Sequence, residues 1–404
     1  MVERVRRAGR ALCVGLLGVL LPALASAQSG GASSNPSIGL VLNGYYANYS
    51  KDVPFTVPGF VLGGEAAPGA PGLNLGESEI GIYGNIDPYF VGSAVISFSA
   101  EGGAEVEEAF IQTTALPAGF TVKAGRFFSG IGYLNSQHRH ADDFFDAPLP
   151  YQVFLGGQFG DDGAQLRWVA PLNWLLEVGL ESFRGDGFPA GGSAKQGNGA
   201  GAGYLKAGGD LGESQSWLVN LGQLQAKAKD RTTGDDEAAP ESSFTGDSTV
   251  NLASLVWKWA PNGNGKTTNV KAQAEFFQRT ENGVYTLDPT GGTPVVVNAK
   301  NGSKATQSGW YAQARYQFEE RWRVGIRQAA VTADTLKDPA AKGTVLDGNG
   351  KSPTIGSAMV EYDPTEFSQI RLQYSNDQTD PKQTVARWYL QYIVTLGAHA
   401  AHSY

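Results

Sequence analysis

Thiols, thioethers and imidazoles are scarce in this chain: one cysteine (Cys13), two methionines and four histidines in 404 residues. That excludes a disulfide framework and a zinc–thiolate centre. Charge is thin as well, at 17% of residues, against roughly 25% in an ordinary soluble domain. Long hydrophobic runs are missing: nothing beyond Leu24 approaches the roughly 18 consecutive apolar residues a membrane helix needs. What is plentiful is glycine, 54 residues, and aromatics, 11% of the chain with 16 Tyr, 19 Phe and 8 Trp. Those two surpluses describe a β protein, either soluble or a membrane barrel.

The N-terminus sets the compartment. Arg4, Arg6, Arg7 and Arg10 precede an apolar run from Ala11 to Leu24, and Ala25-Ser26-Ala27 forms a small-x-small cleavage site before Gln28. This is the pattern of a Sec-type signal peptide over 1–27, which leaves 28–404 as a single domain. A membrane anchor is the bland alternative, but the run is short and ends in a cleavable motif. No lipobox precedes Cys13, and cleavage removes that lone thiol. Removing 1–27 takes away four arginines and Glu3 and leaves a mature net charge of −11. An acidic chain of this kind argues against nucleic acid as a partner. The expected location is the outer membrane of a Gram-negative-type cell, with outer-membrane lipid as the surrounding medium.

A chain without a spanning helix can cross a bilayer only as a closed barrel, because lipid satisfies no free backbone polar group. The strand pattern fits. Val270, Ala272, Ala274 and Phe276 alternate with Lys271, Gln273 and Glu275; Trp310, Ala312, Ala314, Tyr316 and Phe318 alternate with Tyr311, Gln313, Arg315 and Gln317. Near the end, Ile370, Leu372 and Tyr374 alternate with Gln369, Arg371 and Gln373, and Trp388, Leu390, Tyr392, Val394 and Leu396 with Arg387, Tyr389, Gln391 and Thr395. Read this way, strands lie near 38–48, 75–86, 89–100, 105–116, 120–127, 163–171, 174–183 and 202–211, then 214–226, 248–260, 268–279, 308–319, 321–332, 354–363, 366–376 and 384–396. The fold class is all-β: a transmembrane antiparallel β-barrel of about 16 strands, an even count as in bacterial single-chain barrels.

Connections alternate between short and long. The short ones, such as Asp87-Pro88, Pro117-Ala118-Gly119 and Pro171-Leu172-Asn173, are built from turn formers. The long ones fall at 49–74, 128–162, 184–201, 227–247, 280–307 and 333–353. Short periplasmic turns and long external loops are the expected asymmetry. All eight Trp lie in these strands, and Trp168, Trp174, Trp217, Trp259 and Trp322 sit beside short turns, as an interfacial girdle requires. A soluble sandwich or propeller would have shorter strands and a polar outer face. A plug domain has no room, since strand signals begin about ten residues into the mature chain.

Lysines and arginines on the inner parity form a candidate pore-lining basic wall: Lys123, Arg167, Lys271, Arg315, Arg323, Arg327, Arg371 and Arg387. Such a wall favours anions, although scattered lumen solvation gives the same pattern. Inward carboxylates are Glu77, Glu79, Glu177, Glu181 and Glu275; with bases concentrated in the C-terminal half, opposed walls would set a transverse field. The strand 105–116 resists a single phase: Glu105 and Glu107 share one parity and Glu108 the other, which demands an interfacial Glu or a bulge.

The segment 128–162, the third external loop, is long, aromatic and without alternation, so it is expected to fold into the lumen and narrow it. It contains His138, His140, Asp142 and Asp143, imidazole and carboxylate donors that suit Zn²⁺; the alternative is a hydrogen-bonded constriction without metal. The other two histidines, His399 and His402, lie in the tail past the last strand, on the periplasmic side, and cannot join the first pair in one site. No cofactor is required by the pattern, and zinc is the one candidate.

Glu107-Glu108-Ala109-Phe110-Ile111, followed by Val122-Lys123-Ala124-Gly125-Arg126-Phe127-Phe128-Ser129-Gly130-Ile131-Gly132, resembles the strand-turn-strand signature of phosphate-selective-porin-like channels. The stretch Leu134 to Trp168 and the histidine-bearing tail are similar to a related group labelled zinc-regulated or TonB-dependent outer-membrane receptors. The resemblance implies a sixteen-stranded barrel, usually a homotrimer, that passes small solutes or ions. Three functions compete: a channel for small, anion-biased solutes; a metal-linked uptake or binding protein using the third loop; and a barrel enzyme. The enzyme reading is disfavoured, because no Ser in a recognisable hydrolase context accompanies His138 or His140.

Overall fold

The computed structural model describes residues 35–63, 65–98, 103–192, 197–233, 242–287, 293–300, 305–348 and 350–397. The segment 1–27 expected as a signal peptide, with Cys13, and the tail with His399, His402 and Tyr404 lie outside the described residues.

In chain order the strands are β1 (Ser37–Tyr49), β2 (Gly72–Leu75), β3 (Ser78–Asn85), β4 (Phe90–Phe98), β5 (Ala104–Thr113), β6 (Phe120–Phe128), β7 (Gly160–Val169), β8 (Leu175–Phe183), β9 (Gly191–Gly192) and β10 (Ala200–Asp210). Then follow β11 (Gln215–Thr233), β12 (Ser242–Trp259), β13 (Asn269–Leu287), β14 (Val295–Ala299), β15 (Ala305–Glu319), β16 (Trp322–Ala333), β17 (Thr354–Thr365), β18 (Ser368–Gln378) and β19 (Val385–Gly397). Three of them, β2, β9 and β14, are short accessories. The other sixteen pair antiparallel with their neighbours, and β1 closes the ring on β19 from Gly39–Gly397 to Tyr49–Arg387. The structure is therefore a closed sixteen-stranded antiparallel barrel of the outer-membrane type, and each strand read from the alternation has its counterpart.

Turn chemistry explains the tight ends. Between β5 and β6, Gly119 has φ +83°, and a Cβ there would lie 2.2 Å from the Val169 carbonyl oxygen. On β6, Gly125 has φ +129°, and a Cβ would meet the Ala109 carbonyl oxygen at 2.1 Å. Only glycine fits either place. Trp168 marks the same rim, its indole N–H donating to the Ala118 carbonyl at 3.0 Å. The conflict over Glu105, Glu107 and Glu108 resolves as a bulge: Val95 pairs with Glu108 while the next residue, Ile96, pairs with Val106. Glu107 is the extra residue, and both Glu107 and Glu108 reach the lumen, where each lies within reach of His138.

The wall is uneven in height. β4 and β8 have 9 residues each, but β11 and β13 have 19. A strand of that greater length runs about 60 Å, or about 45 Å of height at the usual tilt, well beyond an apolar band of about 25 Å. These upper halves were expected to be loops over 227–247 and 280–307. They are strand because the polarity of the two faces inverts while the pairing continues. On β13 the outward series Val270, Ala272, Ala274, Phe276 becomes Gln278, Thr280, Asn282, and the inward series Lys271, Gln273, Glu275 becomes Phe277, Arg279, Glu281, Gly283, Tyr285, Leu287. On β11 the outward Trp217, Val219, Leu221 give way to Gln223, Gln225, Lys227, and Leu224, Ala226 and Ala228 turn inward and buried. Below the switch the barrel faces lipid outside and charge inside; above it, water outside and, inside, a core of apolar side chains that encloses Arg231, Arg279 and Glu281.

Loops supply that core. Phe154 of the third loop stacks on Phe277 at 5.8 Å between ring centroids and meets Phe60 of the first loop edge-on at 5.8 Å. Gln307 donates to the Gly59 carbonyl at 2.7 Å, so the first external loop is also drawn inside.

The lipid-facing face gives a direct test. Leu390, halfway along β19, points outward with 49% exposure. Replacing it with arginine is expected to lower barrel stability by about 2–4 kcal/mol, read as a lower urea midpoint for the protein folded in lipid vesicles.

Candidate functional site

The third external loop crosses the lumen as residues 129–159. Its α-helix, α1 (Leu149–Leu155), is buried along its whole length and ends at Gly156 in the left-handed region. A buried loop must place its backbone polar groups somewhere, and the inner wall receives them in four sectors. On β8, Glu181 accepts the Ser129 hydroxyl and the Gly130 N–H, the latter at 2.9 Å. On β11, the Asn220 amide donates to the carbonyls of Gly130 and Gly132 at 3.0 and 2.7 Å. On β13, Glu275 accepts the Tyr133 N–H at 2.9 Å, the Tyr151 hydroxyl at 3.0 Å and the Tyr311 hydroxyl at 2.5 Å.

The third sector, which Glu275 of β13 opens, extends from β12 to β18. Lys258, Lys271 and Arg315 stand directly opposite one another on three adjacent strands, a like-charge row that is unfavourable unless compensated. Asp143 compensates it, lying 2.9 Å from the Lys271 ammonium and 3.3 Å from Arg315. Asp146 pairs with Arg327 and accepts from the Gln373 amide at 2.7 Å, and Arg371 donates to the Asp142 carbonyl at 2.6 Å. Burial alone would raise the Asp143 carboxyl; Lys271 and Arg315 outweigh it and hold the group well below the usual carboxylate range. Asp146 is depressed likewise, with Arg327 overcoming burial. Asp142 goes the other way, because burial outweighs Arg139 and Lys271 and its carboxyl is pushed up to about 7; its Oδ1 is buried without a hydrogen-bond partner.

The fourth sector is acidic. His138 Nδ1 lies 3.2 Å from Glu107 and 3.3 Å from Glu79, its Nε2 lies 3.3 Å from Glu108, and His140 Nδ1 lies 2.8 Å from Glu79. Burial disfavours the imidazolium of His138, but Glu107 and Glu108 overcome it and raise its pKa well above the ordinary histidine value. The loop edge from Ser136 to Asp142 stays half-buried, whereas most of the remainder is buried. This edge bounds the more open side of the lumen.

All eight members of the expected basic wall face inward, but they do not stand free. Arg323 pairs with Glu361 at 2.6 Å and Asp363 at 2.5 Å, Arg371 with Glu361 at 2.8 Å, Arg387 with Asp377, and Arg167 with Glu177 at 3.9 Å. With Lys271, Arg315 and Arg327 held by loop aspartates, only Lys123 of the eight has no carboxylate partner among the described residues; it rests over the Phe110 ring at 4.2 Å. The simple picture of a basic C-terminal half facing an acidic N-terminal half is thus corrected. Glu361, Asp363 and Asp377 are acids of the basic side itself, and the loop delivers its aspartates there.

The expected metal set is corrected too. The Asp143 carboxylate pairs with the basic wall, Asp142 meets it only through its backbone carbonyl, and the carboxylates beside His138 and His140 come from β3 and β5. Glu79 stands beside both loop histidines, and Glu77 sits between β2 and β3. Sequence reasoning missed Lys206 and Lys258, which the inner parity of β10 and β12 could have shown. It also missed the upper network of Arg231, Arg279 and Glu281, which lies above the polarity switch where the search for an apolar outer face fails.

Asp143→Asn strips Lys271 and Arg315 of their shared carboxylate. Leaving such a pair broken is expected to cost about 3–5 kcal/mol, seen as a lower urea midpoint. Because the folded Asp143 value is depressed, the wild-type contribution is complete above the unfolded value near about 4 and is lost only as pH falls through the folded one. The difference between wild type and Asp143→Asn should therefore stay constant between pH 5 and pH 8, and shrink only in strong acid.

No family model matches the chain. Among solved structures, the barrel is similar to an anion-selective porin from Comamonas acidovorans (TM-score 0.55, 9% identity, 89% of this chain and 99% of that one). It is also similar to the trimer form of OmpT, an outer membrane protein of Vibrio cholerae (TM-score 0.54, 10% identity, 89% and 99%). A third likeness is to the outer membrane channel DcaP of Acinetobacter baumannii (TM-score 0.53, 13% identity, 90% and 96%). At these identities the likeness is one of fold, and it places the chain among porin-like outer-membrane barrels. In sequence, the chain is 32% identical over 350 residues to an uncharacterized protein of Aquifex aeolicus (strain VF5), covering 82% of this chain and 70% of that one. By that relationship, the chain belongs to the same family as the Aquifex aeolicus protein.

Proposed function

We propose that this protein is an outer-membrane channel for the diffusion or uptake of small solutes, with a bias toward anions. The lumen is polar and charged through the membrane storey, and the third loop narrows it, which limits passage to small species. The observation that carries the bias is a set of three lumen-facing ammonium groups, Lys123, Lys206 and Lys258, with no carboxylate in ion-pair contact among the described residues. Lys206 lies over Tyr204 at 4.9 Å, and Lys258 stands in the cationic row with Lys271 and Arg315. Unpaired fixed cations in a constricted aqueous path attract anions and repel cations, whereas the arginines already matched by Glu361 and Asp377 contribute little net field.

Homotrimeric assembly is part of this proposal. The trimer form of the Vibrio cholerae neighbour supports it. Hydrolysis is not proposed, and metal binding is a separate question of chemistry at the acidic sector.

Planar-bilayer recording tests the reading. The folded protein should conduct ions; folded protein without conductance overturns the channel. Changing Lys123, Lys206 and Lys258 together to alanine should move the reversal potential toward cations in a salt gradient. An unmoved potential discards the anion bias.

A further inference from the structure

The geometry points to a divalent-cation site made by Glu79 of β3, Glu107 of β5 and His138 of the third loop, suited to a first-row transition metal such as zinc. It fastens the constriction loop to the barrel wall. One donor atom from each of the three residues falls within 4.8 Å of the others. His138 Nδ1 stands 3.3 Å from Glu79 Oε2 and 3.2 Å from Glu107 Oε2. Zinc–nitrogen and zinc–oxygen bonds of about 2.0–2.2 Å put the edge of a coordination tetrahedron at about 3.4 Å, so two of the three edges already have that size. The small remaining adjustment draws two carboxylate oxygens around an ion and leaves one position open.

Outer contacts hold these donors as metal ligands are usually held. The second ring nitrogen of His138, Nε2, faces Glu108 Oε2 at 3.3 Å, which fixes Nδ1 as the ligating atom. The second oxygen of Glu79, Oε1, is bonded to His140 Nδ1 at 2.8 Å. The bulge on β5 is what turns Glu107 and Glu108 to the same side, so that one can ligate while the other orients the ring.

Charge supplies an independent reason. Glu79, Glu107 and Glu108 crowd around the two imidazoles of the loop. A divalent cation offsets that concentration of negative charge. The site is reachable, because 19% of the His138 side chain and 12% of the Glu107 side chain remain exposed to the lumen. An imidazole with few protein oxygens selects a transition ion over calcium or magnesium.

The test uses the full mature barrel, folded in detergent and stripped with EDTA, titrated with zinc chloride by calorimetry. One zinc per chain is expected. His138→Ala and the isosteric Glu107→Gln should each weaken binding by at least about tenfold, while Asp142→Asn leaves it within about twofold. Cobalt(II) gives a second readout: visible bands of a four-coordinate ion that vanish in His138→Ala, with circular dichroism showing that the barrel remains folded. Absence of zinc binding by the wild type overturns the site. So does wild-type affinity in His138→Ala, or an equal loss in Asp142→Asn. Conductance plays no part in these measurements, so the site and the channel reading stand or fall separately.

Discussion

A ring of eight strands is filled by its own side chains, but a ring of sixteen encloses a space that they cannot reach across. That space must hold either water or another part of the chain, and most of this architecture follows from how it is divided. The upper part is given to the first and third external loops, which bury Phe60, Tyr151 and Phe154 against Phe277 and Tyr311. The lower part keeps charged side chains. The third loop lies where the two regimes meet, and its fastenings are of two kinds to match: apolar packing above, ion pairs and backbone hydrogen bonds below.

The ion pairs are local solutions to charge crowded on one wall. Glu361 serves both Arg323 and Arg371, and Asp143 serves both Lys271 and Arg315. Lys271 and Arg315 face each other on neighbouring strands, and Arg323 and Arg371 flank the strand that carries Glu361, where the barrel register leaves them no freedom to separate. A buried charge left without its partner is costly, whereas a complete pair is close to neutral in energy. These contacts therefore specify where the loop lies more than they add to stability. On the opposite side the imbalance is acidic, and the two histidines of the loop meet it there.

How much of this could be read from the sequence depends on which forces leave a periodic trace. Membrane strands do: lipid demands an apolar residue at every second place, and Trp388, Leu390 and Tyr392 declare β19 without help. The upper strands alternate as regularly, but with the apolar set moved to the other parity, so Leu224, Ala226 and Ala228 read as an interruption. Parity also tells which residues face the lumen and not which of them touch. The partners of Lys271, Arg315 and Arg327 were invisible, because Asp143 and Asp146 come from a loop with no period. Where two adjacent residues, Glu107 and Glu108, competed for one face, the contradiction itself marked the bulge.

The inversion of polarity has a mechanical meaning for a protein in a bilayer. A barrel with one uniform apolar band can ride up or down by a residue or two at small cost. Here a shift toward the periplasm drags Gln223, Gln225 and Lys227 of β11 into hydrocarbon, and a shift outward lifts Leu221 and Val219 into water. A charge at the bilayer centre costs about 2–4 kcal/mol and less toward the interface, and three tall strands carry the same switch. The band between the Trp girdle and the switch thus acts as a draught mark, holding the molecule at one depth and keeping the constriction loop level with the outer face of the lipid.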